Sequence, residues 1–301
     1  MKKRAILIAG PTASGKSAAA LALAERLDGA IVNADSMQVY ADLRILTARP
    51  PEEDMKRAEH LLYGHVDAAI RHSAGRWLKE AEETAHDLWR QGRIPIFTGG
   101  TGLYFRALEE GLAPVPDIPP GIREEVMAMP PEERKARARA LGLDAGLDAQ
   151  RLARALMVRL ATGRRLEDFH AAPPTKAPLA GAEVIRLFVA PARESLVKRI
   201  EARFAAMLEE GAVEEVRRLL ARRLDPTLPA MKAHGVRNIA AALRGEISME
   251  EAAEGAIAET RQYAKRQMTW ARKFMPHWHR AQAAPAAARL GLELARARDW
   301  C

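Results

Sequence analysis

The chain has a single cysteine and no apolar run long enough to span a bilayer. Cys301 is the only cysteine among 301 residues, which excludes an intramolecular disulfide framework and a cysteine-rich zinc site. Every apolar run is well short of the ~20 residues that a membrane helix needs. The apolar stretch 5–9 ends at Gly10 and Pro11, which argues against a signal peptide. We therefore expect a cytoplasmic protein without a membrane segment.

Acidic residues are fewer than basic ones. Lys and Arg total 47 against 39 Asp and Glu, a formal charge of +8. This excess favours a polyanionic partner such as RNA, DNA or acidic lipid. An arginine-rich but otherwise ordinary surface would give the same balance, so charge alone leaves nucleic-acid binding open. The 48% apolar content is typical of a globular protein, and the length allows one large domain or a core with an insert.

Strand and helix patterns alternate along the chain. Apolar strand patterns cover 5–9, 30–34, 94–98 and 184–189, and helical patterns cover 17–27 and 76–91. After Val189 the pattern is helical to the end: a helical stretch over 194–222, a break from Pro226 to Pro229, and a long helix that begins at Ser248. The alternation predicts an α/β fold whose parallel sheet binds ligands at the carboxyl ends of its strands.

Two proline-rich stretches, 114–120 and 173–178, bracket a charged segment with a helical pattern and no strand. We interpret this segment as an inserted all-helical subdomain. The predicted organisation is a P-loop NTPase-like core with flanking helices over 1–113, a helical insertion that contacts tRNA over 114–182, and completion of the core over 183–301.

Residues 10–17, Gly-Pro-Thr-Ala-Ser-Gly-Lys-Ser, match the phosphate-loop pattern G-x-x-x-x-G-K-(S or T) between a strand and a helix. In such a loop the backbone amides surround phosphate oxygens, Lys16 neutralises them and Ser17 can hold Mg²⁺. The pattern predicts a di- or triphosphate and leaves the reaction open. The predicted ligands of the phosphates are Gly10, Thr12, Ala13, Ser14, Gly15, Lys16 and Ser17.

Two polar residues follow predicted strands. Asp35 could be a general base, a metal-bound carboxylate or the cap of a turn. Thr101 lies in Gly99-Gly100-Thr101-Gly102, whose backbone can approach a ligand closely, and its hydroxyl could orient a substrate. The same loop could also be only a tight strand-to-helix turn.

Basic and aromatic residues alternate along the predicted C-terminal helix. This mixture suits RNA phosphate contact and base stacking, but it also fits a solvated face beside core aromatics. The residues are Arg261, Tyr263, Lys265, Arg266, Trp270, Arg272, Lys273 and Phe274. Several histidines lack a metal-like spacing and are expected to be structural or surface residues: His60, His65, His277 and His279.

Five segments in order resemble the tRNA dimethylallyltransferase family, also called isopentenyl-diphosphate:tRNA transferases, in its bacterial form. They cover 10–17, 33–40, 99–104, 148–156 and 260–270. The resemblance implies transfer of a dimethylallyl group from dimethylallyl diphosphate to the exocyclic amine of the adenosine immediately 3′ of the tRNA anticodon, with Mg²⁺ as cofactor. Leu46 and Val236 depart from the family pattern, which usually has glycine and tyrosine there.

The resemblance also implies residue roles. Asp35 is the base for the amine, Thr101 helps to position it and Arg203 binds the diphosphate. Contacts with tRNA are implied at Asp35, Ser36, Met37, Gln38, Thr101, Arg123, Gln150, Arg151, Leu152, Ala153, Arg154, Lys232, Ala233, His234, Gly235, Val236 and Arg237. No obligate protein partner is indicated.

Two other functions share the phosphate loop. An ATP-dependent phosphotransferase acting on a small molecule would use the same loop and sheet. A regulatory RNA-binding GTPase would need an Asn-Lys-x-Asp guanine signature, which this sequence lacks.

Overall fold

The computed structural model describes residues 2–300, so Cys301 lies outside the described part of the chain. Its centre is a six-stranded sheet in the order β3-β2-β4-β1-β5-β6, and every neighbouring pair is parallel. The strands are β1 Arg4–Ala9, β2 Gly29–Asn33, β3 His60–Leu61, β4 Ile94–Gly99, β5 Glu183–Val189 and β6 His279–Ala281. The parallel α/β class predicted from the alternating patterns is confirmed.

Helices connect and flank these strands. In chain order they are α1 Lys16–Leu27, α2 Glu52–Arg57, α3 Ala74–Arg90, α4 Gly102–Glu110, α5 Pro120–Ala128, α6 Pro131–Ala140, α7 Ala149–Thr162, α8 Leu166–His170, α9 Arg193–Glu209, α10 Ala212–Ala221, α11 Val236–Leu243, α12 Met249–Phe274 and α13 Ala284–Arg296. Ser248 and Glu251 form the capping box expected at the start of α12.

The prediction of helix from Val189 to the end was wrong at one place. Residues 279–281 form β6, which pairs with the end of β5; three residues are too few to show a strand period in sequence. The helical stretch 194–222 is two helices, α9 and α10. Between them Gly211 adopts a φ of +101°, a conformation that favours glycine and ends α9.

The main core lies between the sheet and helices α1 and α13. Strand residues Ile6, Ile96 and Leu187 pack there with Leu23 of α1 and Ala287 of α13, all fully buried. Burial of this apolar surface fixes the strands, and with them the loops at their carboxyl ends. β1, β2 and β4 are neighbours, so the loops that follow residues 9, 33 and 99 leave one edge of the sheet together.

Residues 110–177 form a second compact unit. Its regular elements are helices α5 to α8, whose apolar faces make a separate core around Val126, Leu156 and Phe169. The boundaries at 114 and 182 that the sequence suggests for an insert remain predictions. Across residues 2–300, no helix combines the length and apolar character needed to cross a membrane.

Candidate active site

The loop between β1 and α1 has the shape of a phosphate loop. A side chain at Gly10 would bring its Cβ within 2.7 Å of both the Ser14 Oγ atom and the Val189 carbonyl, so only glycine fits there. Gly15 adopts a φ of +90° at the start of α1. The Ser14 hydroxyl is buried, and it has no hydrogen-bond partner among residues 2–300. A buried hydroxyl in this condition is ready to bind a ligand oxygen.

Three cationic side chains surround this loop. Lys16 Nζ donates to the Pro11 carbonyl at 3.2 Å, Arg199 reaches the Ser14 carbonyl at 3.5 Å, and Arg203 reaches the Thr12 hydroxyl at 3.5 Å. Burial lowers the pKa of Lys16 to about 8; Asp35 opposes this shift and Arg203 adds to it. Burial likewise lowers the pKa of Arg203. Gathering like charges out of water is costly, and an anion in the loop would offset that cost.

Asp35 is held at the tip of β2 by its neighbour Asn33. The Asn33 side chain accepts a hydrogen bond from the Asp35 amide at 2.8 Å and donates to the Asp35 carbonyl at 3.0 Å. One carboxylate oxygen of Asp35 accepts from the Met37 amide at 3.0 Å. The other oxygen faces Gly100, where an added Cβ would lie 3.2 Å away. The carboxylate is thus fixed in direction, with one oxygen turned toward the second glycine loop.

Thr101 is fixed against the same segment. Its Oγ1 atom accepts a hydrogen bond from the Ser36 amide at 3.0 Å, and its own amide donates to the Ala34 carbonyl at 3.2 Å. The Tyr263 side chain, from α12, lines the same cavity as Thr101. Burial raises the pKa of Tyr263 well above its usual value, and the charge of Asp35 raises it further, so the phenol stays neutral.

The glycines around Thr101 have no side chain, so other parts of the protein pack closely against their backbone. An added Cβ would lie 2.1 Å from Ala34 backbone atoms at Gly99, 2.1 Å from Gln267 Nε2 at Gly100, and 2.2 Å from the Trp270 ring at Gly102. The backbone of this loop was expected to approach a ligand closely. In the structure, it is α12 and the tip of β2 that pack closely against the loop. The loop is more than a strand-to-helix turn, because it brings Thr101 beside Asp35.

Gln267 joins the two glycine loops. Its Oε1 atom accepts from the Thr12 amide at 2.9 Å, and its Nε2 atom donates to the Gly100 carbonyl at 2.9 Å. Gln267 is not among the site residues predicted from the sequence, although it lies in the family-like segment 260–270. The available signal was its spacing: Tyr263, Gln267 and Trp270 recur at intervals of four and three, which places them on one face of a helix.

Two cavities flank this arrangement, and Tyr263 lines both. The first has a volume of about 210 Å³, and its lining includes Thr12, Asp35, Ser36, Met37, Arg203, Lys232, Ala233, His234 and Tyr263. The second has a volume of about 240 Å³, and its lining includes Gly10, Gly100, Thr101, Gly102, Phe105, Phe188, Tyr263, Arg266, Gln267 and Trp270. Predicted catalytic and phosphate-loop residues therefore line two adjoining spaces.

The segment after Asp35 is tied down by two side chains. Gln38 donates to the carbonyls of Thr47 and Ala48, both at 2.9 Å. Glu215 of α10 is buried, and its carboxylate accepts from the backbone amides of residues 44, 45 and 46 at 2.6, 2.8 and 2.9 Å. Residues 46–48 line the first cavity. Gln38 is predicted from the sequence to contact tRNA, whereas Glu215 is not among the predicted site residues.

The residues expected to contact tRNA fall into two sets. Lys232, Ala233 and His234 lie beside Asp35 in the first cavity, whereas Val236 is buried, 1% exposed, at the start of α11. Arg123 and 150–154 belong to the helical unit 110–177.

Within that unit, the side chains of Leu152 and Ala153 are only 2% and 5% exposed in the helical core. The apolar face of α7 requires this burial, so tRNA contact through these two side chains is not supported. Gln150 and Arg151 are exposed. Burial and the nearby charge of Arg123 lower the pKa of Arg154.

Comparison with known proteins agrees with this geometry. The family model described as IPP transferase matches residues 38–274, and one described as isopentenyl transferase matches residues 3–70. The chain is 52% identical over 298 residues to a tRNA dimethylallyltransferase of Bradyrhizobium sp. (strain ORS 278), covering 95% of this chain and 96% of that protein. A tRNA dimethylallyltransferase of Nitrobacter hamburgensis is 51% identical, with 95% and 93% covered.

Solved structures give the same result. A tRNA delta(2)-isopentenylpyrophosphate transferase from Staphylococcus epidermidis superposes with a TM-score of 0.71 at 27% identity, covering 99% of this chain and 100% of that chain. A eukaryotic dimethylallyltransferase acting on tRNA gives 0.73 at 27% identity, with 90% and 70% covered. Because the match extends over nearly the whole chain and includes the loops that carry Lys16, Asp35 and Thr101, this chain belongs to the IPP transferase family.

Proposed function

We propose that this protein transfers the dimethylallyl group of dimethylallyl diphosphate to the exocyclic amine of the adenosine immediately 3′ of the anticodon in tRNA, and releases diphosphate. The observation that carries the proposal is the fixed carboxylate of Asp35 beside Thr101, next to a phosphate loop surrounded by cations. Family membership supports the choice of substrates, since relatives that are 50–52% identical are tRNA dimethylallyltransferases.

The adenine amine needs activation, because its lone pair is delocalised into the ring. In the proposed reaction a bond forms between this nitrogen and the allylic carbon while the carbon–oxygen bond to diphosphate breaks. Asp35 accepts the amine proton, and the bonding electrons of the broken bond leave with the diphosphate. The Thr101 hydroxyl, held by the Ser36 amide, orients the amine for attack.

The phosphate loop stabilises the leaving group. Negative charge builds on the diphosphate as the carbon–oxygen bond breaks, and Lys16 with Arg203 would neutralise it. The unpartnered Ser14 hydroxyl and the loop amides supply hydrogen bonds to the phosphate oxygens. The loop thus holds a departing diphosphate, and no phosphoryl group is transferred.

Mg²⁺ fits this donor set. Ser17 is exposed at the second position of α1, and its hydroxyl and the phosphate oxygens are hard oxygen ligands of the kind that Mg²⁺ prefers. A bound Mg²⁺ would be held by Ser17 and the diphosphate and would supply further neutralisation of the leaving group.

The test is incubation of the protein with isotopically labelled dimethylallyl diphosphate and bulk tRNA, followed by mass analysis of the nucleosides. Label on adenosine from the anticodon loop is the expected result. The rival activity, an ATP-dependent phosphotransferase, predicts consumption of ATP with a small acceptor and no labelled nucleoside. That outcome would overturn the proposal.

A further inference from the structure

The structure assigns a transition-metal site to His65, His72 and Glu80, apart from the phosphate loop. The geometry points to a borderline-soft divalent ion such as Zn²⁺. His65 was expected to be a structural or surface residue, because the spacing of the histidines in the sequence shows no metal pattern. In the fold, both histidines lie against one carboxylate.

The distances suit a tetrahedral ion. Nε2 of His65 lies 3.1 Å from Oε2 of Glu80, and Nε2 of His72 lies 3.0 Å from the same oxygen. All three ligand atoms lie within 4.8 Å of one another. A zinc ion with bonds of ~2.0–2.1 Å keeps its tetrahedral ligand atoms roughly 3.3 Å apart. Each nitrogen-to-oxygen distance is within a few tenths of an ångström of that value.

The ligands are held in place before any ion binds. The His72 side chain is 1% exposed, and its backbone amide donates to the Tyr40 hydroxyl at 3.4 Å. The segment that carries His65 is fixed by Val66, whose amide donates to the Val39 carbonyl at 2.9 Å. Glu80 lies on α3, two turns after its Ser73 cap. Because the backbone at these ligand residues is already fixed, binding of an ion costs little conformational entropy.

The donor set selects the kind of metal. Two imidazole nitrogens and one carboxylate oxygen form the set of protein ligands found in open zinc sites, in which water takes a further position. Mg²⁺ and Ca²⁺ prefer six or more oxygen ligands, which this cluster does not offer. Among residues 2–300 this is the one group of three or more candidate protein ligands gathered closely enough. The ion would tie α3 to the segment before it.

The test uses untagged full-length protein stripped of metal with a chelator. Zn²⁺ binding is measured by calorimetric titration, and Co²⁺ binding by titration monitored through visible absorption. Both titrations should show one ion per chain. The Co²⁺ spectrum should have the strong bands of a four-coordinate site. His65→Ala and Glu80→Gln should each weaken Zn²⁺ binding at least ~10-fold. Millimolar Mg²⁺ should not compete.

Matched controls lie on the same helix. His86→Ala and Glu83→Gln should bind Zn²⁺ as the unaltered protein does, and thermal melts should show that all variants are folded. His72→Asn is a third test variant, but it alters a buried residue and could fail to fold. In that case His65→Ala, at an exposed position, still tests whether the cluster binds Zn²⁺. Absence of saturable Zn²⁺ binding, or equal affinity in His65→Ala and the unaltered protein, would overturn the assignment. Both results are independent of prenyl transfer, so they leave the proposed function untouched.

Discussion

Lys16 combines burial with a position between an acid and another cation. Burial lowers its pKa to about 8, so the ammonium is charged at neutral pH but loses its proton about one pH unit higher. A group with this pKa can neutralise a phosphate below about pH 8 and loses its charge above it. The phosphate loop should therefore bind diphosphate most strongly on the acidic side of that value.

This predicts an alkaline limb in the pH profile. The kcat/KM for dimethylallyl diphosphate should fall by up to ~10-fold per pH unit above about pH 8, because only the protonated Lys16 binds the donor well. The measurement is steady-state kinetics between pH 6.5 and 9.5 at constant ionic strength. Lys16→Ala should have lower activity throughout and no such limb. A flat profile in the unaltered protein would contradict this role.

Gln267 has a different role, because it touches backbone atoms of both glycine loops. Gln267→Leu removes its two hydrogen bonds and leaves the Thr12 amide and Gly100 carbonyl without their partner. We expect the single-turnover transfer rate to fall ~10–100-fold as the loops lose their relative position. Gln262→Leu, an exposed neighbour on α12, is the control. Unchanged kinetics in Gln267→Leu would show that the loops keep their arrangement without it.

The two departures from the family pattern lie close together. An added Cβ at Gly235 would lie 3.1 Å from the Leu46 side chain, and Val236 follows directly as a buried residue. Leu46 thus fills space beside the turn that precedes α11.

At the scale of elements, α10 supports the segment that follows β2. The Glu215 carboxylate accepts hydrogen bonds from three backbone amides of that segment, much as an anion does at the N-terminus of a helix. The segment carries residues 46–48 of the first cavity. Glu215 of α10 thus positions residues 46–48, which form part of the wall of the first cavity.

Glu215→Ala should therefore destabilise the protein by about 1–3 kcal/mol, because three backbone amides in buried or part-buried hydrogen bonds would lose their acceptor. Urea unfolding followed by circular dichroism gives the change in free energy. Glu214→Ala is the matched control, since its exposed pair with Arg217 contributes little. Equal free energies of unfolding for the two variants would contradict the account of Glu215.

The whole molecule carries a formal charge of +8, part of it on the exposed face of α12. If that face contacts tRNA phosphates, Arg261→Glu with Lys265→Glu should weaken tRNA binding and reduce the salt slope of log K by about 1–2. Arg289→Glu on α13 is a control at another exposed position. A double variant with an unchanged slope would mean that this face is only solvated.

Much of the site followed from local sequence. Asp35 and Thr101 were selected because each lies in a loop directly after a strand, and Lys16 because it matches the phosphate-loop pattern; both patterns are local. Gln267 was missed because its partners are 255 and 167 residues away in the chain, and Glu215 because its partners are 169–171 residues away.

The metal cluster was missed for a related reason. His65, His72 and Glu80 converge only when the segment after β3 folds back on α3. The strand β6 was missed because three residues carry no period. Long-range pairing, and not local propensity, decided each of these features.

Proton acceptance by Asp35 is tested by the single-turnover rate of dimethylallyl transfer to tRNA in Asp35→Asn, with enzyme in excess. We expect a rate at least ~100-fold below that of the unaltered protein, since the proton acceptor is lost, while Asp28→Asn, at an exposed position, retains the normal rate. A rate for Asp35→Asn within about threefold of normal, with tRNA and dimethylallyl diphosphate saturating, would contradict it.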